Sequence, residues 1–129
     1  MNSKVLQTLE YHKIIERLAD KATSAPGREL CLNLIPETDM DVIIHNQQET
    51  TDALSRLLRK NGISFGNNKS LGASLKTLDI GASLSAGELL KIAGLLENVN
   101  RVKAYGRKER PDLPDDSLTC YFDELQPFT

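Results

Sequence analysis

Apolar residues recur at intervals of three and four along most of the chain, which is the spacing of one face of an α-helix. The pattern predicts six helices, covering residues 10–22, 25–34, 40–60, 70–79, 86–105 and 118–126. No stretch alternates apolar and polar residues over six positions, as a half-buried strand would. We therefore expect an all-α fold, an irregular bundle of five to six helices.

Capping residues support several of these boundaries. Ser24 precedes Ala25-Pro26, and proline is well tolerated in a first helical turn. Thr38 or Asp39 can cap the long helix, and Asn61-Gly62 can end it in a left-handed conformation. The segment Ser85-Ala86-Gly87-Glu88 matches a capping box, in which serine and glutamate each accept from the other's backbone N–H.

Composition agrees with the helical pattern and excludes other classes. The 129 residues include 20 Leu and 9 Ala but only 5% aromatic residues, and the net charge is -2. No apolar run approaches the length of a membrane span, and no secretory signal is recognisable. Cys31 and Cys120 are expected to be reduced thiols, buried as small apolar groups. The sequence predicts a soluble, cytoplasmic protein.

The domain organisation is predicted from a change in composition after Gly106. Residues 107–116 are rich in charge and contain two prolines, which is typical of a linker or an exposed loop. We therefore divide the chain into a helical core subdomain (1–106), a charged linker (107–116) and the start of a further core helix (117–129).

No catalytic, cofactor-binding or metal-binding residue is predicted. His12 and His45 are far apart and have no cysteine at ligand spacing. The segment Gly66 to Ser70 lacks the spacing of a phosphate loop, since Asn68 rather than glycine precedes the lysine. Asn68-Lys69-Ser70 matches a glycosylation sequon, which we attribute to chance.

One stretch near the end of the fifth predicted helix is basic. Over residues 101–110 a single acid, Glu109, is outnumbered by five cations: Arg101, Lys103, Arg107, Lys108 and Arg110. These are the candidate nucleic-acid-binding residues, because lysine and arginine neutralise phosphates and release counterions. The alternative is a basic helix end that faces its own dipole and pairs with the acidic linker.

The ordered set of motifs resembles the N-terminal part of the second bacterial MutS family, whose members are MutS paralogues without the mismatch-reading domain. The resemblance spans nearly the whole chain. It is carried by Thr8–Ile15, Ser24–Glu29, Pro36–Asp39, Glu49–Leu54, the Gly-x-x-Leu-Ser-x-x-Glu-Leu-Leu element of Gly81–Leu90, and Tyr121–Leu125. The sequence departs from the family pattern at His12, where an acidic cap is common, and at Gly87 and Gly94, which weaken a helix.

The resemblance implies a longer protein with lever helices, an ABC-type ATPase that binds ATP and Mg²⁺, and a C-terminal Smr nuclease domain. Residues 1–129 contain none of these, so no cofactor is expected in this segment. The family is associated with homodimers, branched DNA, suppression of homologous recombination and stalled ribosomes, which implies rRNA contact. The segment would be a structural and transmitting part of the helical core, without an active site. The alternative is a free-standing helical protein-interaction adaptor.

Overall fold

The computed structural model describes residues 3–66 and 71–127, and within these ranges every regular element is an α-helix. The helices are α1 (Ser3–Thr8), α2 (Tyr11–Ala19), α3 (Ala25–Leu32), α4 (Met40–Lys60), α5 (Gly72–Asp79), α6 (Ala86–Gly106) and α7 (Thr119–Glu124). The all-α class is confirmed, and each predicted helix has a counterpart. The expectations for Asn68, Lys69 and Ser70 lie outside the described residues.

Helix α1 was not predicted, and α2 is shorter than expected. The chain leaves α1 at Glu10, whose φ of 52° and ψ of 34° are left-handed and separate the two helices. Lys13 Nζ lies 2.6 Å from Glu10 Oε1 across this turn. Helix α2 ends at Ala19 instead of residue 22, and the N–H of Asp20 bonds to the carbonyl of Glu16.

The predicted caps are confirmed at three helix N-termini. Ser24 Oγ accepts from the N–H of Gly27 at 3.2 Å, and Asp39 rather than Thr38 caps α4. At the capping box, Glu88 Oε2 accepts from the N–H of Ser85 at 2.8 Å, and Ser85 Oγ accepts from the N–H of Glu88 at 3.3 Å. These side chains satisfy N–H groups that the first helical turn leaves unpaired.

The C-terminus of α4 differs in detail from the expected left-handed cap. Asn61 has a positive φ of 66°, but its ψ of 176° is extended rather than left-handed helical. Tyr105 Oη donates to the carbonyl of Asn61 at 3.2 Å and so holds this conformation. The backbone therefore turns sharply out of the helix at Asn61.

The chain forms two compact units. The first comprises Met1–Pro36 and Phe65–Ile92, and the second comprises Glu37–Ser64 and Ala93–Thr129. In the first unit α2 packs against α1 and α3, and it buries Ile15 and Ala19. In the second unit Val102 is the buried hydrophobic residue among those described. The division at residues 106 and 116 stays a prediction.

Several predicted apolar faces are exposed. On α4, Leu54 and Leu58 are 56% and 79% exposed, and on α6 Leu90 is 73% exposed. Cys120 is also exposed, so the expectation that both cysteines are buried was wrong for it. Helical periodicity shows which residues share a face, but it does not show whether this segment contains a surface to cover that face.

Candidate functional site around Arg56

The second unit contains a buried ion pair between α4 and the segment that precedes α7. Arg56 lies between Ser55 and Leu57 on α4, and its side chain is 8% exposed. Its Nε lies 2.6 Å from Asp116 Oδ2, and its Nη2 lies 2.6 Å from Asp116 Oδ1. The guanidinium and the carboxylate therefore meet in a two-point, charge-assisted arrangement, which fixes their relative orientation.

Three further groups surround the guanidinium. Nη1 of Arg56 donates to the carbonyl of Gly106 at 3.2 Å, and Nη2 donates to Thr119 Oγ1 at 3.3 Å. The ring of Phe122 lies 4.7 Å from the guanidinium carbon, a cation–π distance. These five residues, Arg56, Gly106, Asp116, Thr119 and Phe122, form the Arg56 cluster. The cluster joins α4 to the end of α6 and to α7.

The electrostatics of the Arg56 cluster follow from this geometry. The hydrogen bonds from Arg56 lower the pKa of Asp116 from its usual 3.8 to about 2, although partial burial opposes the shift. The same pair raises the pKa of Arg56. Asp116 Oδ1 also accepts from the Thr119 hydroxyl at 3.0 Å and from the N–H of Leu118 at 3.2 Å. The carboxylate thus orders the residues that lead into α7.

Two acidic residues extend this contact along one face of α4. Asp52 Oδ2 accepts from the Ser117 hydroxyl at 2.6 Å and from the N–H of Ser117 at 2.9 Å, which lowers the pKa of Asp52. Tyr121 Oη donates to Glu49 Oε1 at 2.6 Å, and this bond raises the pKa of Tyr121. Residues 49, 52 and 56 follow helical spacing, so a single face of α4 binds residues 116–121.

Three of the five predicted phosphate-binding residues make contacts within the chain. Lys103 Nζ donates to the carbonyls of Phe122 and Asp123 at 2.9 and 3.1 Å, at the C-terminal end of α7. Lys108 Nζ lies 2.8 Å from Asp115 Oδ1. Arg101 Nη2 donates to the carbonyl of Ser64 at 3.2 Å. Lys108 pairs with the acidic linker, as the alternative expects, whereas Lys103 contacts the C-terminal end of α7 and not that of its own helix.

The other two candidates, Arg107 and Arg110, are exposed, and within residues 3–66 and 71–127 neither side chain forms an ion pair. Lys60, which was not among the candidates, contacts the end of α6. Lys60 Nζ donates to the carbonyls of Tyr105 and Arg107, where α6 ends, and lies 5.6 Å from the ring centre of Tyr105. Phosphate binding by the basic stretch stays a prediction.

The sequence pattern did not reveal Arg56 and Lys60 as structural groups. Arg56 lies beside an apolar stripe like many solvated cations, and Asp116 is only the last residue of the predicted charged linker. A buried arginine needs an acidic partner, but residues 54–58 carry no signal that Arg56 is buried. The sequence could not show which of the acids in residues 109–124 is that partner.

The described residues therefore define an all-α segment whose buried charged groups join helices. In this part of the chain no group of three or more His, Cys, Asp or Glu side chains is arranged to hold a metal ion. Nor does any helix in the same residues have the length and apolar character to span a membrane.

Comparison with known proteins finds similar segments in one group of bacterial proteins. The chain is 46% identical over 134 residues to an endonuclease MutS2 from Lachnoclostridium phytofermentans, an alignment that covers 100% of the chain and 17% of the relative. The identity is 46% to endonuclease MutS2 of Agathobacter rectalis and 39% to that of Acetivibrio thermocellus, with 98% and 92% of the chain covered. No protein-family model matches, and no solved structure gives a significant match.

The resemblance to MutS paralogues is thereby confirmed. Over its whole length the chain is similar to one segment of proteins of the second bacterial MutS family, MutS2. It spans about one sixth of the length of the curated relatives that it matches.

Proposed function

We propose that this chain is a helical core segment of a MutS2-type protein and transmits motion between an ATPase and DNA-contacting helices. The similarity to MutS2 along the whole chain is the observation that carries the proposal. The Arg56 cluster supports it, since its contacts join three helices and its two-point ion pair fixes the orientation of Arg56 and Asp116. The segment itself contributes structure and no catalytic group.

The proposal for the complete protein follows the family. It binds branched DNA, hydrolyses ATP with Mg²⁺, cleaves nucleic acid as the name of its relatives indicates, and suppresses homologous recombination. It acts as a cytoplasmic homodimer and also contacts the rRNA of stalled ribosomes. ATP and Mg²⁺ bind in another part of the polypeptide. A free-standing adaptor is the weaker alternative, because relatives about six times longer contain this segment.

The test measures ATP hydrolysis by the complete gene product, with and without branched DNA, and by the 129-residue chain alone. The complete protein should hydrolyse ATP and the chain should not. Arg56→Met should reduce the stimulation by DNA and leave the basal rate unchanged, because it loosens helices that lie away from the nucleotide. Arg59→Met is the matched control, since Arg59 is exposed on the same helix and, among the described residues, donates only to the carbonyl of Ser55.

Two outcomes would contradict the proposal. Hydrolysis of ATP by the chain alone would place catalysis within this segment. Equal stimulation by DNA in the wild type and in Arg56→Met would mean that the Arg56 cluster has no part in transmission.

A second experiment concerns the basic stretch. In the complete protein, replacement of Arg107, Lys108 and Arg110 by Ala should reduce the salt slope of duplex DNA binding by about 0.9 for each phosphate that the variant no longer neutralises. Lys13→Ala is the control, because Lys13 is exposed in the other unit and pairs with Glu10. An unchanged slope in the triple variant would exclude phosphate binding by these residues.

A further inference from the structure

The chain leaves α4 at the one asparagine in the sequence that is followed by glycine. Asn61 and Gly62 come directly after Lys60, the last residue of α4, and both are exposed. Asparagine is thermolabile, because the backbone nitrogen of the next residue can attack its side-chain carbonyl carbon. Glycine hinders that attack least, since it carries no side chain beside the nitrogen. This pair is therefore the place in the chain where the attack meets the least steric resistance.

The backbone of Asn61 has an unfavourable conformation. Its φ of 66° and ψ of 176° belong to a region that is otherwise almost confined to glycine. Within the second unit, Tyr105 Oη donates to the carbonyl of Asn61 at 3.2 Å and so holds the peptide group between Asn61 and Gly62. The native structure thus keeps backbone strain at this asparagine.

The groups that would react are not engaged in hydrogen bonds. In the part of the chain that the structure describes, neither the N–H of Gly62 nor the side-chain amide of Asn61 has a hydrogen-bond partner. Asn33 gives a comparison, because it is also exposed and also follows a helix, α3. Leucine follows Asn33, however, and the N–H of Leu34 donates to the carbonyl of Cys31 at 3.2 Å. The attacking nitrogen is therefore free after Asn61 and engaged after Asn33.

We propose that Asn61 is a site of spontaneous deamidation, which loosens the contact between the ends of α4 and α6. The nitrogen of Gly62 loses its proton to hydroxide and attacks Cγ of Asn61. The new C–N bond closes a five-membered succinimide, while the bond from Cγ to the side-chain nitrogen breaks. That nitrogen takes a proton from water and leaves as ammonia. Water then adds to either carbonyl of the ring and opens it, which gives aspartate or isoaspartate.

Both products change the place where the chain leaves α4. Each adds a negative charge at the C-terminal end of the helix, where the helix dipole is already negative. Isoaspartate also lengthens the main chain by a methylene group and converts the carbonyl that Tyr105 contacts into part of a free carboxylate. Lys60 Nζ joins the same end of α4 to the carbonyl of Tyr105 at 2.9 Å. The modification therefore acts next to Gly106 of the Arg56 cluster.

The experiment follows the conversion by peptide mapping and mass spectrometry, because deamidation replaces an amide by a heavier carboxyl group. The complete gene product is incubated at mildly alkaline pH, both folded and denatured in guanidinium. The folded protein should convert Asn61 at a rate within about ten-fold of the denatured protein, because exposed segments open at almost no cost in free energy. Asn33 is the matched control and should stay unmodified over the same time.

Gly62→Ala tests the identity of the attacking group. Gly62 has no positive φ, and an added Cβ would meet no atom within 4 Å, so this variant keeps the fold. Its methyl group should slow the conversion of Asn61 by about ten-fold or more, because it crowds the nitrogen that closes the ring. After equal incubation, hydrogen exchange should become faster in the last turns of α4 and α6 of the wild type and stay unchanged in Gly62→Ala.

Each opposite result overturns the proposal. A folded rate at Asn61 that lies more than about ten-fold below the denatured rate would mean that the fold protects this residue. Equal conversion of Asn33 would show that the reaction does not depend on the Asn61-Gly62 pair. An unchanged rate in Gly62→Ala would exclude the nitrogen of residue 62 as the attacking group. Unchanged hydrogen exchange in the modified wild type would show that the contact between α4 and α6 is not loosened.

Discussion

Asp116 provides the sharpest test of the Arg56 cluster, through the variant Asp116→Asn. The two carboxylate oxygens lie 2.6 Å from two nitrogens of Arg56, and Oδ1 also accepts from the N–H of Leu118 and the hydroxyl of Thr119. An asparagine has nearly the same shape, but it carries no charge and has one oxygen in place of two. The variant therefore removes the ionic part of the contact while it preserves the packing.

The magnitude follows from the pKa of Asp116, which the folded state lowers from 3.8 to about 2. Since each unit corresponds to about 1.4 kcal/mol, the ionised carboxylate adds about 2 kcal/mol to the free energy of unfolding. A lowered pKa means that the folded state binds the proton less well than the unfolded chain. The contribution is therefore complete well above pH 3.8 and is lost as the pH falls toward about 2.

The assay is urea unfolding of the chain at a series of pH values. Near neutral pH, the free energy of unfolding of Asp116→Asn should be about 2 kcal/mol lower than that of the wild type. This difference should disappear in acid. Asp115→Asn is the matched control, because Asp115 is 66% exposed and its pair with Lys108 should contribute less than about 1 kcal/mol. A gap between Asp116→Asn and the wild type that stays constant at all pH values would refute the assigned pKa shift.

Three further variants test local features by the same unfolding assay. Gly94→Ala should stabilise the chain by about 1 kcal/mol, because Gly94 is inside α6 and an added Cβ would meet no atom within 4 Å; a loss of stability would mean that the helix needs the glycine. Gly106→Ala in the same helix should destabilise the chain by about 1–3 kcal/mol, because the added Cβ would overlap the side chain of Phe122. An unchanged stability would show that Phe122 can move to accommodate the methyl group. Ser85→Ala should cost about 1 kcal/mol because it removes the capping box, and an unchanged midpoint would mean that the cap is not formed in solution.

Local structure was largely predictable from the sequence, because caps and helical periodicity depend on neighbours within a few residues. Ser24, Asp39 and Ser85 cap helices as predicted. The prediction failed at Glu10, where a left-handed residue divides two helices. Glutamate has no special preference for that conformation, so no residue type signalled the break.

The candidate site was less predictable, because it depends on residues far apart in sequence. Five cations in residues 101–110 were candidates for phosphate binding, with contacts inside the chain as the alternative. Lys103 contacts the C-terminal end of α7, and Lys108 contacts Asp115. The sequence shows where the cations are concentrated, but the contact of each cation depends on the tertiary structure. The pairing of Arg56 with Asp116, 60 residues away, was missed for the same reason.

The sequence by itself determined that the chain is all-α, where most of its helices begin, and which bacterial family it resembles. These properties follow from spacing, capping and motif order, which need no knowledge of distant contacts. Only the tertiary structure decided which charges are buried together and which apolar faces stay open. Arg56 and Asp116 contribute to the structure because the fold removes water from them and places them beside each other. An apolar face stays exposed where the fold provides no surface to cover it.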